Sequence, residues 1–181
     1  DLHWVDTSHY ETRDVQVGVQ KPYADPIVLD LNGDGITLQA YQTSHVQFDV
    51  DNDHTHSKET TGWVGPQDGL LAIDFNGNGE IDGASELVSE FMHAQTGFRT
   101  YSDGFDAMDA LGRDELGQSD NVLDAKDVYW TQLKIWQDAN SNGQTDAGEL
   151  KSLADWGITR INRRVGVPDV PVDAQDNRVN L

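Results

Sequence analysis

The apolar positions of this chain change period partway along. Up to residue 79 they come as short runs or alternations, each ending in an acidic stretch rich in glycine or asparagine. Ile27-Val28-Leu29-Asp30-Leu31 and Ile36-Thr37-Leu38 bracket the segment Asp30 to Gly35. His45 to Asp49 alternates into Asp49-Val50-Asp51-Asn52-Asp53, and Gly69-Leu70-Leu71-Ala72-Ile73 leads into Asp74-Phe75-Asn76-Gly77-Asn78-Gly79. Short apolar runs and period-two alternation bounded by turn-forming residues predict strands. The first unit therefore reads as strand, loop, strand. Farther on the spacing becomes helical: Leu87, Val88, Phe91 and Met92 share one helical face, as do Phe105, Met108 and Leu111. Val128, Leu133 and Trp136, with Ile135, predict a helix over 125–136 that feeds Asp138 to Gly143. A further helix is expected over 147–155, stopped near Gly157, and residues 158–165 alternate as a strand.

The flanks are polar. Residues 1–24 read as a segment in which only Val15, Val17 and Val19 suggest a strand, and residues 167–181, interrupted by Pro168 and Pro171, read as a loose or truncated tail. The module lies between them, over 25–166. The chain opens at Asp1 without a signal pattern, so it is expected to be a piece of something longer.

Charge changes this picture more than length does. The 181 residues suffice for one ordinary domain or two small ones. With 12 basic against 32 acidic residues the formal net charge is -20, which disfavours nucleic acid and anionic membranes and makes cations the natural counterpart. There is no cysteine, so disulfides, thiolate metal sites and thiol catalysis are excluded. No run approaches the ~20 apolar residues that span a bilayer, so membrane insertion is not expected.

The carboxylates are clustered, and their spacing carries the chemistry. With Asp138 as position 1, Asn140 falls at 3, Asn142 at 5, Gly143 at 6, Gln144 at 7, Asp146 at 9 and Glu149 at 12, the ligand pattern of an EF-hand loop. Oxygen side chains at alternate positions converge on one ion, the glycine permits the sharp turn, and the final glutamate supplies two oxygens. Asp74, Asn76 and Asn78, with Gly79, Glu80 and Asp82, start the same way, but Glu86 falls one residue late. Asp30, Asn32 and Asp34 with Gly35 begin well and then enter a strand, so further ligands must come from elsewhere. Asp49, Asp51 and Asp53 have His54 where the glycine belongs, and the stretch from Asp114 has Asp120, Asp124 and Asp127 as its best candidates. For these last two, a metal site and a plain surface turn stay open alternatives. The expected fold class is α+β, short strands plus helices organised around several EF-hand-like calcium loops, with Ca2+ as the cofactor.

Competing motifs are weaker. His54-Thr55-His56 suits a transition metal but more commonly marks a solvated loop. Gly77-Asn78-Gly79 lacks the third glycine of a dinucleotide turn, and its loop oxygens would face phosphate. Trp130, Trp136 and Trp156 read as core residues.

Ahead of the first loop stands Asp25-Pro26. Its tertiary amide has no N–H and isomerises more readily than an ordinary peptide bond. The Asp25 carboxyl is able to reach its own carbonyl, closing a five-membered anhydride and expelling Pro26, although most Asp-Pro pairs are plain turns or strand starts.

Tyr23 to Ile36 resembles the opening of the self-processing module of FrpC-type RTX (repeat-in-toxin) proteins. The likeness continues in order through Phe48 to Asp53, Thr61-Gly62-Trp63-Val64, Asp68-Gly69-Leu70-Leu71, Asp74 to Gly79 with Glu86-Leu87, and Ile135 to Leu150. It covers about residues 23–165. The resemblance implies calcium-triggered, single-turnover autocleavage at Asp25-Pro26, with Asp25 as nucleophile. It also implies optional isopeptide ligation of Asp25 to a lysine amine, such as one on a neighbouring protein; Lys21 is the nearest amine in sequence, and the choice of acceptor stays open. The implied setting is a toxin or adhesin, secreted or at the bacterial surface, exported by type I secretion as part of a larger protein. The departures at His54, at Lys58-Glu59 and near Asp120 bear on two of the calcium loops. The alternative function is a non-catalytic module stiffened by calcium. A helix-binding calcium sensor needs a Met-rich face, and the chain has only Met92 and Met108.

Overall fold

The computed structural model describes residues 24–52, 57–94 and 100–162. Its centre is an antiparallel sheet built from β1 (Val28–Asp30), β6 (Asp68–Ile73), β8 (Leu133–Trp136) and β9 (Leu150–Ser152), in the order β1-β6-β8-β9. Three two-stranded ribbons surround it: β2 (Leu38–Gln39) with β5 (Trp63–Val64), β3 (Gln47–Phe48) with β4 (Glu59–Thr60), and β7 (Val122–Asp124) with β10 (Arg160–Asn162). Two short 3-10 turns, Ala84–Glu86 and Ala154–Trp156, and one α-helix, α1 (Gly104–Leu111), complete the described elements.

Alternation along the sheet separates two cores. Ile27 and Leu29, Leu71 and Ile73, and Leu133 and Ile135 face one side, where Met108 and Leu111 of α1 and Ile161 of β10 cover them. Val28, Leu70, Ala72 and Trp136 face the other, against Phe48, Val50, Trp63 and Leu87. A strand covered on both faces has no polar side, which is why β6 is an unbroken apolar run after Asp68. Within the sheet the neighbouring strands leave no room at Gly69, where a Cβ would stand 2.4 Å from Ile135 Cγ2 of β8.

The expectation of an α+β fold with helices flanking the acidic loops is overturned. The architecture is mostly β, with a single α-helix among the described residues. The helix expected over 125–136 ends instead as β8, and Val128, assigned to its apolar stripe, is half exposed. Leu133 and Ile135 share a face at period two and Trp136 fills the other, an arrangement a sheet satisfies and a helix does not. The helix expected over 147–155 is β9 followed by the 3-10 turn, although Gly157 does end it in the left-handed region. Leu87, Val88, Phe91 and Met92 are buried, but from an irregular segment in which Leu87 bridges to Ala72 and Phe91 and Met92 lie in a turn, not from an α-helix. The first strand, loop, strand unit is split as well, because β1 joins the central sheet while β2 pairs with β5. The helix read from Phe105, Met108 and Leu111 is α1, capped by Asp103 accepting from the Asp106 backbone N–H at 2.8 Å.

Candidate functional site

The Asp138 loop connects β8 to β9, so both of its ends are pinned in the central sheet. Asp138 is completely buried: its Oδ2 accepts from the Gly143 N–H at 2.8 Å and from the Trp63 indole at 2.8 Å, and its Oδ1 accepts from the Asn142 N–H at 3.1 Å. Glu149, also buried, spans the loop, accepting from the Ala139 N–H at 2.9 Å and the Asp146 N–H at 3.1 Å. The side-chain amides of Asn140 and Asn142 both donate to Asp146 Oδ2, at 2.7 and 2.9 Å. Gly143 holds φ +68, and Gln144 donates its backbone N–H to Asn142 Oδ1 at 2.7 Å.

The Asp74 loop repeats the main contacts of this pattern. Asp74 accepts from Gly77 and Gly79 at 2.7 and 2.8 Å, and Asn76 and Asn78 both donate to Asp82 Oδ2 at 3.2 and 2.6 Å. Glu86, one residue late in sequence, still bridges the loop, accepting from Phe75 and Asn76 on one side and from Asp82 on the other at 3.0 Å. The 3-10 turn Ala84–Glu86 absorbs the extra residue. Burial pushes the Glu86 carboxyl up, reinforced by Asp82 and Asp74, while backbone donors oppose this. Glu80 donates its N–H to Asn78 Oδ1 at 2.8 Å. The loops touch at their equivalent eighth positions, where the Ile81 N–H donates to Thr145 Oγ1 at 2.9 Å. Among the described residues no basic side chain is ion-paired with any carboxylate of these two loops. Rings of carboxylate and amide oxygens with loop N–H groups behind them are the donor chemistry of a hard divalent cation.

At the remaining loops the structure brings different residues together. Asp30 accepts from Gly33 at 2.8 Å and Gly35 at 2.9 Å, Asp34 donates its N–H to Asn32 Oδ1 at 3.1 Å, and the Asn32 amide reaches Gln67 Oε1. Asp49 and Asp51 gather with Glu59, their nearest carboxylate oxygens all within 4.8 Å of one another, because β3 pairs Phe48 with Glu59. Glu59 was not among the sequence candidates, and Asp53, His54 and His56 lie outside the described residues. In the stretch from Asp114, Lys126 is ion-paired with both Asp124 at 3.4 Å and Asp120 at 3.8 Å. Asp127 accepts there from the Asp124 N–H at 2.7 Å, and burial pushes its carboxyl up.

The Asp25-Pro26 bond, in the trans form, lies on the lip of the sheet. The Asp25 N–H donates to Glu90 Oε2 at 2.7 Å, and Glu90 is completely buried. The Asp25 carbonyl oxygen packs on the first residue of α1, where a Cβ on Gly104 would stand 2.5 Å away. On the far side of Pro26, the Ile27 N–H donates to the Val88 carbonyl at 2.9 Å and the Leu71 N–H donates to the Ile27 carbonyl at 3.0 Å. The bond is thus held at both ends while the Asp25 side chain stays exposed. Sequence reasoning missed Glu90 and Gly104. The available signal for Glu90 was a lone carboxylate inside the apolar run from Leu87 to Met92. Lys21 lies outside the described residues.

The SPM domain family matches residues 27–180, and the chain belongs to that family. The iron-regulated protein FrpA of Neisseria meningitidis serogroup C is 37% identical over 140 residues, which cover 76% of this chain. The aligned part is 12% of that relative's length, so the chain corresponds to a small section of it.

Proposed function

We propose that this domain cleaves its own Asp25-Pro26 bond when calcium has ordered its loops. The observation that carries the reading is the double anchorage of Asp25, its N–H on buried Glu90 and its carbonyl oxygen against Gly104. The exposed Asp25 carboxylate attacks its own carbonyl carbon, forming one C–O bond. The oxygen of that carbonyl takes up negative charge at the N-terminal end of α1, where the helix dipole favours it. The C–N bond to Pro26 then breaks, and the proline nitrogen leaves as a secondary amine after taking a proton from solvent. Water opens the anhydride to a C-terminal aspartate, or a lysine amine opens it to an isopeptide bond. Ile27, locked between Val88 and Leu71, keeps the departing strand end in place.

The donor sets fit calcium: Asp138, Asn140, Asn142, Gln144, Asp146 and Glu149 would hold one ion, and Asp74, Asn76, Asn78, Glu80, Asp82 and Glu86 another. Bound there, calcium supplies the positive charge that a chain of net charge -20 lacks. The loops it would order sit on the same sheet as β1, which begins two residues after Pro26. The relationship to FrpA supports a secreted parent protein of which this domain is one part, and type I secretion is the export route proposed for it.

The test is a denaturing gel of the full chain with millimolar calcium or with chelator. Calcium-dependent appearance of a fragment beginning at Pro26, absent in Asp25→Ala, is the expected result. Wild type that binds calcium and stays one band would mark a stiffening module without cleavage.

A further inference from the structure

We propose that Asp68 completes a divalent-cation site on the Asp30 loop, reaching it from the neighbouring strand. The inference rests on the calcium reading above and assigns a ligand that no loop motif contains. The Asp30 loop has carboxylate or amide side chains at its first, third and fifth positions, Asp30, Asn32 and Asp34, but after Gly35 the chain leaves for β2 and supplies no closing glutamate. The register of β1 on β6 puts Asp68 directly opposite Asp30. Two carboxylates facing each other across an antiparallel pair repel, and no lysine, arginine or histidine is paired with Asp30, Asp34 or Asp68 among the described residues.

Asp68 is the more costly of the two. It is 1% exposed, its Oδ2 accepts from the Thr37 N–H at 2.8 Å, and its Oδ1 is buried without a hydrogen-bond partner. A buried, unsatisfied carboxylate oxygen is strongly unfavourable unless a cation or donor meets it. Burial pushes this carboxyl up, opposed by Thr37, and the charges of Asp30 and Asp34 add to the push. The loop is fastened to this spot from three directions. Thr37 binds Asp68, the Gly65 N–H donates to the Thr37 carbonyl at 2.7 Å, and Asn32 bonds Gln67, the residue before Asp68. Gly65 has no room for a side chain here, since a Cβ would lie 2.9 Å from Thr37 Cβ and 3.3 Å from Asp68 Oδ2. The carboxylates of Asp30, Asp34 and Asp68 and the side-chain amides of Asn32 and Gln67 border this end of the loop, and oxygen donors of this kind are the hard ligands that calcium takes. The closing carboxylate comes from β6 because the strand that follows the loop carries it away from the ion.

The experiment is native mass spectrometry and calorimetric calcium titration of the full chain, with Asp68→Asn. Asparagine keeps an acceptor for the Thr37 N–H, and the circular dichroism spectrum of the calcium-loaded protein checks the fold. The variant is expected to hold one calcium fewer, or to bind one ion at least tenfold more weakly. Asp34→Asn, on the exposed loop, is expected to weaken the same ion, and the double variant to lose no second one. Unchanged stoichiometry and affinities in Asp68→Asn would overturn the assignment. Wild type that takes up no calcium would instead overturn the calcium reading on which it rests, and Glu149→Gln, which acts at the Asp138 loop, separates loss of that site from loss of this one.

Discussion

The indole N–H of Trp63 donates to Asp138 Oδ2 at 2.8 Å across 75 residues of sequence, and both side chains are buried. The bond ties the best-formed acidic loop to the aromatic cluster of Trp63, Phe48 and Trp136, whose ring centroids are 5.1 to 5.6 Å apart. Trp63→Phe keeps most of that packing and removes the donor from a buried carboxylate. A hydrogen bond to a charged group contributes about 1.5 to 3 kcal/mol, and the metal-free variant is expected to lose that much in urea unfolding. An unchanged midpoint would mean that Asp138 does not depend on the indole.

Two glycines with similar backbone angles differ in surroundings. Gly143 has φ +68, and a Cβ there would stand 2.6 Å from Val46 Cγ1 and 2.8 Å from the Gln47 carbonyl oxygen; Gly79 has φ +85 and open space. Gly79→Ala is expected to cost only the left-handed strain of about 1 to 2 kcal/mol. Gly143→Ala adds overpacking against the β3 backbone, for a total of about 2 to 5 kcal/mol. Thermal melts of the pair in chelator should show the larger drop for Gly143→Ala, and equal drops would contradict the contact.

Gly104→Ala tests the seat of the Asp25 carbonyl. The substitution adds helix propensity at the start of α1, yet its Cβ would displace the carbonyl oxygen now 2.5 Å from that position. Since displacement by about 1 Å is able to cost ~100-fold in rate, cleavage should slow about tenfold or more with calcium stoichiometry unchanged. Glu90→Ala should slow it too, and Glu90→Gln, which still accepts from the Asp25 N–H, should recover part of the loss. Cleavage time courses of all three at saturating calcium decide it.

The pH dependence of the metal-free protein follows from the buried carboxyls. Glu86, Asp68 and Asp127 are each raised, burial being the first cause. A carboxyl raised by folding makes the native state bind more protons than the unfolded one above the ordinary values of 4.5 for Glu and 3.8 for Asp, so stability is lost as pH rises through the folded value. Asp124 and Asp155 are lowered, by hydrogen bonds from Lys126 and Ser152, but they lie toward solvent, where screening weakens the opposing trend. In chelator, the urea midpoint is expected to rise as pH falls from about 7 to about 5. With calcium the order should reverse, because binding needs the deprotonated carboxylates. A metal-free midpoint that falls on acidification would contradict the burial of these groups.

The acidic loops were legible because their contacts are local. Asp138 meets Asn142 and Gly143, four and five positions on, and the same offsets recur from Asp74, so spacing alone carries the geometry. Helix α1 was legible for the same reason, with its cap and its buried face written within nine residues. The flanks of the Asp138 loop were misread as helices because Leu133 to Trp136 is too short an apolar run for its period to discriminate. What selects a strand there is β6, which pairs with it residue for residue from Leu70↔Trp136 to Ile73↔Leu133.

By itself, then, the sequence determined the acidic loops, helix α1, the Asp25-Pro26 bond and the net negative charge. Only the tertiary structure decided that those loops hang from strands, that Glu90 and Gly104 hold Asp25, that Trp63 backs Asp138, and that Asp68 stands opposite Asp30. Each of these depends on strand register or on turns that meet from distant parts of the chain, 65 residues apart for Asp25 and Glu90 and 75 for Trp63 and Asp138. Periodicity records which way a side chain faces, and it holds no information on which strand will lie beside it.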